Sequence, residues 1–399
     1  MSDQLLDTPV VTAPIAARQN WLVNILLGSV RHGRLTLVTP SGSRLTHTQT
    51  APGPEGTMVL HRWRTLHRLL TGGDIAGGET YMDGDWSSPD LPSLIELVAR
   101  NASLMKVIGG SWFAKALNRL AHRMNANTRR GSKRNIVRHY DLGNDFYAAW
   151  LDSGMTYSSG LYRTGSESLI EAQTAKQNRV IELLHLTGGE RVLEIGCGWG
   201  GLVERLMGMG THSVTGVTLS PSQLAYAAKR VPSADLRLQD YRDTSGTFDR
   251  IVSIEMLEAV GASWWPSYFT TLRERLRPGG LAVLQAITIA EDRFEDYRGA
   301  PDFIQRYIFP GGMLPSQTEM RRQIAGSGLE LRSAETFGDS YARTLAVWRK
   351  RFMTAWPDIA RQGFDPRFKR MWDYYLAYCE AGFRAGATNV GLYQVARPA

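Results

Sequence analysis

Apolar positions in this chain switch between a period of two and a period of about 3.6, and the switches mark the elements. Val192-Leu-Glu-Ile195 is a short apolar run that reads as a buried strand. Gly196, Gly198, Gly200 and Gly201 then make a tight loop, and residues 202–206 resume with helical spacing. Residues 214–219 read as a second strand about 20 residues on, the separation of a βαβ unit. Asp235–Leu238 and Phe248–Ile254 read as a third and a fourth. A helix is expected to start at Glu255 and to carry Trp264, Trp265, Tyr268 and Phe269. A turn at 276–280 leads into a strand at 281–287, residues 291–316 are an insertion, 342–384 is helical and aromatic, and 389–395 is a last strand. With the helix Leu169–Leu184 in front, the pattern predicts an α/β fold. Its sheet is doubly wound and mostly parallel, with strand ends converging on one crevice.

The first third is patterned differently. Arg34–Val38 alternates like a strand, 40–43 is a turn, 51–56 a loop, and 59–70 a strand followed by a helix. Residues 74–86 are rich in glycine and acid, and Leu91–Arg100 reads as a short helix. This predicts a small α+β domain over 20–105, preceded by a flexible tail over 1–20. Residues 106–127 have helical spacing with Trp112, Phe113, Lys115, Arg119, His122 and Arg123, and 127–134 is a polar basic loop. The stretch 106–134 is thus a helical and basic linker, read either as a helix lying on a membrane or as a plain connection. The remaining residues, 135–399, form the larger domain.

Composition narrows the partners more than the fold. The chain has 399 residues, of which 43% are hydrophobic and 21% charged, a globular balance with room for two domains. No apolar run reaches the roughly 18 residues of a membrane span. Cys197 and Cys379 have no metal-binding spacing, so no metal is expected and the thiols are read as free in a reducing cytoplasm. The formal net charge of +8 favours phosphate-bearing partners. No recognition helix, zinc knuckle or base-stacking repeat points to nucleic acid, which leaves an anionic membrane surface or a merely basic solvated surface.

A glycine loop after a strand also serves dinucleotide enzymes, so by itself it decides little. Acidic and polar residues at successive strand ends suit a ribose and an adenine without phosphates, which resembles a class I S-adenosylmethionine methyltransferase. More of the chain resembles the cyclopropane-fatty-acyl-phospholipid synthase family. The likeness runs from Asp74 to Val395 and is carried by His139-Tyr-Asp-Leu-Gly-Asn-Asp-Phe146, Met155-Thr-Tyr-Ser-Ser159 and the glycine loop. Gly216-Val-Thr-Leu-Ser220 with Gln223, Gln239-Asp-Tyr-Arg-Asp243, Glu258-Ala-Val-Gly261, Tyr307-Ile-Phe-Pro-Gly-Gly312 and Phe337-Gly-Asp-Ser-Tyr341 continue it.

The resemblance implies a seven-stranded Rossmann-like sheet and methyl transfer from S-adenosylmethionine to the double bond of a phospholipid acyl chain. The product would be a cyclopropane or methyl-branched chain formed through a carbocation. It assigns the cofactor to Gly196, Cys197, Gly198, Gly200, Thr218, Leu219, Gln223, Gln239 and Asp240, with Tyr157 and Ser158 at the carboxylate end. It implies a bicarbonate ion as the base that removes a proton, held by Glu258, Tyr341, the Ile287 backbone, Ser159 and Gln285. Ser159 and Gln285 depart from the bacterial pattern, which has cysteine and histidine there. Glu255 adds a carboxylate near the sulfonium. The aromatic residues of 140–162, 264–269 and 297–309 suit a cation, since ring faces stabilise one without being alkylated. A peripheral place on the inner face of the cytoplasmic membrane and a homodimer are further expectations. Two other enzymatic readings stand beside this one: a relative that methylates without ring closure or desaturates a methylated chain, as in furan fatty-acid routes, and a small-molecule methyltransferase. A silent lipid-binding module is a third, against which the intact glycine loop argues.

Overall fold

A computed structural model describes residues 17–48, 51–101, 104, 142–210 and 212–399. The expected linker 106–134 lies outside the described residues, as does most of the expected tail; Ala17–Gly28, however, is a helix, so order begins before residue 20. The chain divides into two compact units, one drawn from 1–115 and 366–381, the other from 116–365 and 382–399.

The first unit is built on a four-stranded sheet in the order β2-β1-β3-β4: β1 Arg34–Val38, β2 Arg44–Thr48, β3 Glu55–Leu60 and β4 Trp86–Ser87. Strand β1 pairs antiparallel with β2 and parallel with β3. The sequence pattern missed β2, and β3 begins inside the expected loop 51–56. The glycine- and acid-rich stretch continues a helix, Arg64–Met82, which bends at Gly73 (φ 72°). Helix Leu91–Arg100 is capped by Asp90, whose carboxylate accepts from Ser93 N at 3.1 Å. Residues 366–381 join this unit rather than the larger one expected from sequence. Their polar groups explain it: Tyr81 OH donates to Asp373 Oδ2 at 2.6 Å and Arg370 Nε to the Met82 carbonyl at 2.6 Å. Neither partnership is visible across some 290 intervening residues.

The second unit carries a seven-stranded sheet in the order β10-β11-β9-β8-β5-β6-β7. Its strands are β5 Arg191–Ile195, β6 Ser213–Thr218, β7 Asp235–Leu238, β8 Phe248–Ile254, β9 Leu276–Ile289, β10 Glu330–Thr336 and β11 Thr388–Ala396. Only β11 runs against its neighbours β9 and β10. The expected turn at 276–280 is a bulge within β9, whose register against β8 shifts between Phe248 and Arg250.

Alternation along the strands sorts side chains to two faces. Leu193, Ile195, Ile251, Ala282, Leu284, Tyr393 and Val395 share one core with Trp265, Tyr268, Phe269 and Met320. Val192, Val252, Val283 and Leu392 share the other with Val180, Leu183 and Leu184 of helix Leu169–Leu184. The expected helix from Glu255 is broken instead: two short 3-10 turns, Leu257–Ala259 and Ala262–Trp264, precede helix Trp265–Arg275. Gly261, at φ 83°, separates them.

Candidate active site

The strand ends β5, β6, β7 and β8 open onto one cleft. Its lining includes Gly196, Gly198, Thr218, Leu219, Gln223, Gln239 and Asp240 from the sequence reading, together with Tyr241, Arg242, Glu255 and Met256. The glycine loop is tied to β6, since Gly196 N and Cys197 N both donate to the Val217 carbonyl at 2.9 and 3.1 Å. Gly196 has φ 82°, and a Cβ there would stand 2.6 Å from Met256 Cγ. A Cβ on Gly198 would meet nothing within 4 Å and would take up cleft space instead. Gly200, at φ 80°, turns the chain into helix Gly201–Met207. Cys197 is absent from the lining: its thiol lies under β6 beside Gly216, and burial pushes its pKa far up, so it acts as an apolar filler.

Polar atoms at the next strand ends are arranged by short local bonds. Ser220 caps helix Pro221–Arg230 by accepting from Gln223 N at 3.3 Å. Thr218 Oγ1 donates to Gln223 Oε1 at 3.0 Å, which leaves the Gln223 NH2 end as a donor. Gln239 Nε2 donates to the Asp243 carbonyl at 2.7 Å. Asp240 holds Arg242 in a fork at 2.8 and 2.6 Å and accepts from Arg242 N as well. Tyr241 and Arg242 were not singled out from sequence, although they sit inside the quoted Gln239-Asp-Tyr-Arg-Asp243 motif.

Beyond the cleft rim lies a buried charged cluster. The Glu255 carboxylate accepts from Tyr341 OH at 2.6 Å, Gln285 Nε2 at 2.7 Å and Ser159 N at 2.8 Å. Burial raises its pKa, and those three donors and Lys176 act against that shift. The sequence reading placed Tyr341 and Glu258 around one bicarbonate ion. In this structure Tyr341 OH donates to Glu255, while Glu258 Oε1 accepts from Ile287 N at 2.5 Å and Glu258 Oε2 has no partner among the described residues. Burial first, and the charge of Glu255 second, push Glu258 up to about 8.

Lys176 was missed by sequence reasoning. It stands on helix Leu169–Leu184, fully buried, and its Nζ donates to Ser158 Oγ at 2.7 Å. Burial lowers it to about 8 against the pull of Glu255, Asp152 and Glu194. Glu194 is its counterpart on β5, raised to about 8 by burial, with Lys176 opposing. A charged residue in the middle of an apolar strand was the available signal for Glu194. Ser158, engaged by Lys176 and by Gln173 Nε2 on its carbonyl, lies outside the cleft lining. So does Tyr157, whose ring packs against Tyr147, Trp150 and Trp348 with centroids 5.4, 5.6 and 5.3 Å away.

Those rings form a continuous run. Trp199 of the glycine loop meets Tyr147 at 5.1 Å, and Trp348 meets Tyr341 at 6.1 Å. Aromatic faces therefore lead from the glycine loop to the tyrosine that holds Glu255. By contrast Trp265, Tyr268 and Phe269, from another of the aromatic stretches, are core residues of the opposite sheet face.

The lining suits S-adenosylmethionine: bare backbone at Gly198, a donor amide on Gln223 and a carboxylate at Asp240. It suits bicarbonate poorly. Of the donors expected to hold that anion, Ser159 Oγ is spent on the Gly160 carbonyl, Ile287 N on Glu258, Tyr341 on Glu255, and Gln285 Nε2 on Glu255 and, at 3.5 Å, the Ser159 carbonyl. Among the described residues Glu258 Oε2 and Gln285 Oε1 are buried without a partner; Gln285 Oε1 only accepts, whereas Glu258 Oε2 donates when the carboxyl is protonated.

Comparison with known proteins agrees with the geometry. The family model described as mycolic acid cyclopropane synthetase matches residues 127–394. The tuberculostearic acid methyltransferase UfaA1 of Mycobacterium tuberculosis is 38% identical, over 96% of this chain and 92% of that protein. The cyclopropane-fatty-acyl-phospholipid synthase of Escherichia coli is 39% identical, over 82% of this chain and 84% of that protein. Among solved structures, the mycolic acid cyclopropane synthase CmaA1 complexed with SAH and CTAB superposes with a TM-score of 0.62 at 28% identity, covering 66% of this chain and 98% of that one. The chain belongs to the mycolic acid cyclopropane synthetase family and is an S-adenosylmethionine-dependent methyltransferase of fatty acyl chains.

Proposed function

We propose that the chain methylates the double bond of an unsaturated acyl chain carried on a membrane phospholipid, and that the resulting cation loses a proton to give a cyclopropane. The observation that carries this is a buried carboxylate, Glu255, which lines the cofactor cleft and ends a run of aromatic rings. S-adenosylmethionine, when bound, supplies an electrophilic methyl. Gly196, Gly198, Thr218, Gln223 and Asp240 would hold it, and the bare glycine backbone would let it approach closely. An alkene is a weak nucleophile, so holding it in line with that methyl supplies much of the catalysis. The buried surroundings of Glu255 would keep out water that traps the cation. The charge of +8 would favour an anionic bilayer as the place where the acyl chain is met.

One observation favours a second reading, in which a methyl branch forms without a ring: the relative matched over 96% of the chain is a tuberculostearic acid methyltransferase. Mass spectrometry of lipids from a host expressing the protein, before and after ozonolysis, separates the two, which have the same mass. A gain of one methylene with no remaining double bond is the expected result. A retained double bond on the methylated chain would replace the ring with the branched product, and unaltered acyl chains would overturn both.

A further inference from the structure

Glu255 has φ 49°, a backbone region that a glutamate adopts only under strain and a glycine adopts freely. Strain of this kind persists where the surroundings over-determine it, and it concentrates at functional sites. Here the surroundings are the donors that the family resemblance assigns to an external anion. Tyr341 OH and one N–H of Gln285 Nε2 reach the Glu255 carboxylate, joined by Ser159 N, and the second Gln285 N–H faces the Ser159 carbonyl at 3.5 Å. The position is also fixed from behind, because Glu255 N donates to the Gln285 carbonyl at 2.8 Å. A side chain at this point of the backbone thus puts its own two oxygens where a free carbonate would otherwise take the same bonds.

We propose that the Glu255 carboxylate stands in the place of bicarbonate and is itself the base that deprotonates the substrate cation. The inference rests on the acyl-methylation reading above. The step balances without a co-reactant. One Glu255 oxygen takes a proton from the newly attached methyl carbon, the C–H pair becomes the C–C bond that closes the ring, and the cation and the carboxylate become a neutral ring and a carboxylic acid. That proton passes to water before the next turnover. The charges support the assignment. Glu255 accepts three hydrogen bonds and Glu258 one, an arrangement that favours the negative charge of the pair on Glu255, and burial and that charge push Glu258 up. Burial raises Glu255 as well, which makes it a stronger base than an exposed carboxylate.

The test compares the wild type with Glu255→Gln and Glu255→Gly, using unsaturated phospholipid vesicles in buffer freed of carbon dioxide or supplemented with bicarbonate. Glycine relieves the strained backbone, so Glu255→Gly keeps the fold while removing the carboxylate. Wild-type turnover is expected to be equal in both buffers. Glu255→Gln, whose amide still fills the site, is expected to fall about 10²–10⁴-fold in both. Glu255→Gly is expected to fall as far without bicarbonate and to regain at least about tenfold with it, as the released donors accept the ion. Carbon-13 bicarbonate observed by NMR is expected to bind Glu255→Gly and not the wild type. Bicarbonate binding or dependence in the wild type would overturn the proposal. So would wild-type turnover by Glu255→Gln, or a Glu255→Gly variant that neither binds nor responds to the ion. If the wild type leaves every unsaturated phospholipid unchanged, the acyl-methylation reading fails, and the NMR comparison still decides what occupies the anion's place.

Discussion

The two faces of the seven-stranded sheet are built from the same strands and do different work. One face is closed by Trp265, Tyr268, Phe269 and Met320, with Tyr268 OH donating to Ser253 Oγ at 2.8 Å. The opposite face is just as apolar at its centre. Toward the strand ends, however, it carries Glu194 and Gln285, with Lys176 from the covering helix and Glu255 just past β8. On the first face a substitution changes packed volume. On the second it changes where a proton sits, because burial penalises charge and every charge needs a partner. Stability and chemistry are thereby separated across a sheet a single layer thick.

That contrast can be broken at graded points. The largest effect is expected on the apolar face, where Phe269→Ala should cost about 3–5 kcal/mol of stability in urea unfolding. S-adenosylhomocysteine affinity of the folded fraction should hold; a variant of unchanged stability that loses cofactor affinity would place Phe269 in the site instead. Next, Tyr341→Phe removes a hydrogen bond to a buried carboxylate, worth about 1.5–3 kcal/mol. Turnover should fall roughly 10–100-fold, and the acid limb of the rate profile should move to higher pH, because Tyr341 now holds Glu255 ionised. A uniform rate loss with an unmoved limb would reduce Tyr341 to a packing residue.

Glu258→Gln is expected to act more gently and only with pH. Folded Glu258 keeps its proton up to about 8, whereas the unfolded side chain loses it near its ordinary 4.5. Between those values the folded form binds more protons, so this group makes stability fall as pH rises, by at most about 1.4 kcal/mol per pH unit. Glu258→Gln should flatten that slope between pH 5 and 8 in urea titrations, and an unaltered slope would mean the proton is held elsewhere, with Glu194 the next candidate. The smallest effect belongs to Gln239, half-exposed and bonded to the Asp243 carbonyl. Gln239→Ala should weaken cofactor binding by about 1 kcal/mol or less by calorimetry. A much larger loss would make it a principal contact.

The strands β5 to β8, the glycine loop and the cleft residues on it were readable from periodicity and loop chemistry, since each depends on neighbours within a few positions. The same reading erred where distant groups intervene. Residues 366–381 went to the wrong unit because Asp373 answers to Tyr81, and the helix expected from Glu255 is broken by Gly261. Ser159, Gln285, Glu255 and Tyr341 were all named, but not that the first two and the last converge on the third.

The amino-acid sequence by itself determined a doubly wound α/β unit with a glycine-lined cofactor site, because strand alternation and tight turns are local consequences of backbone sterics. Only the tertiary structure decided which carboxylate holds the donors and which keeps a proton. Those outcomes depend on burial and on distances of a few ångströms between β8, β9 and helix Gly338–Arg361, and a linear order of residues contains neither.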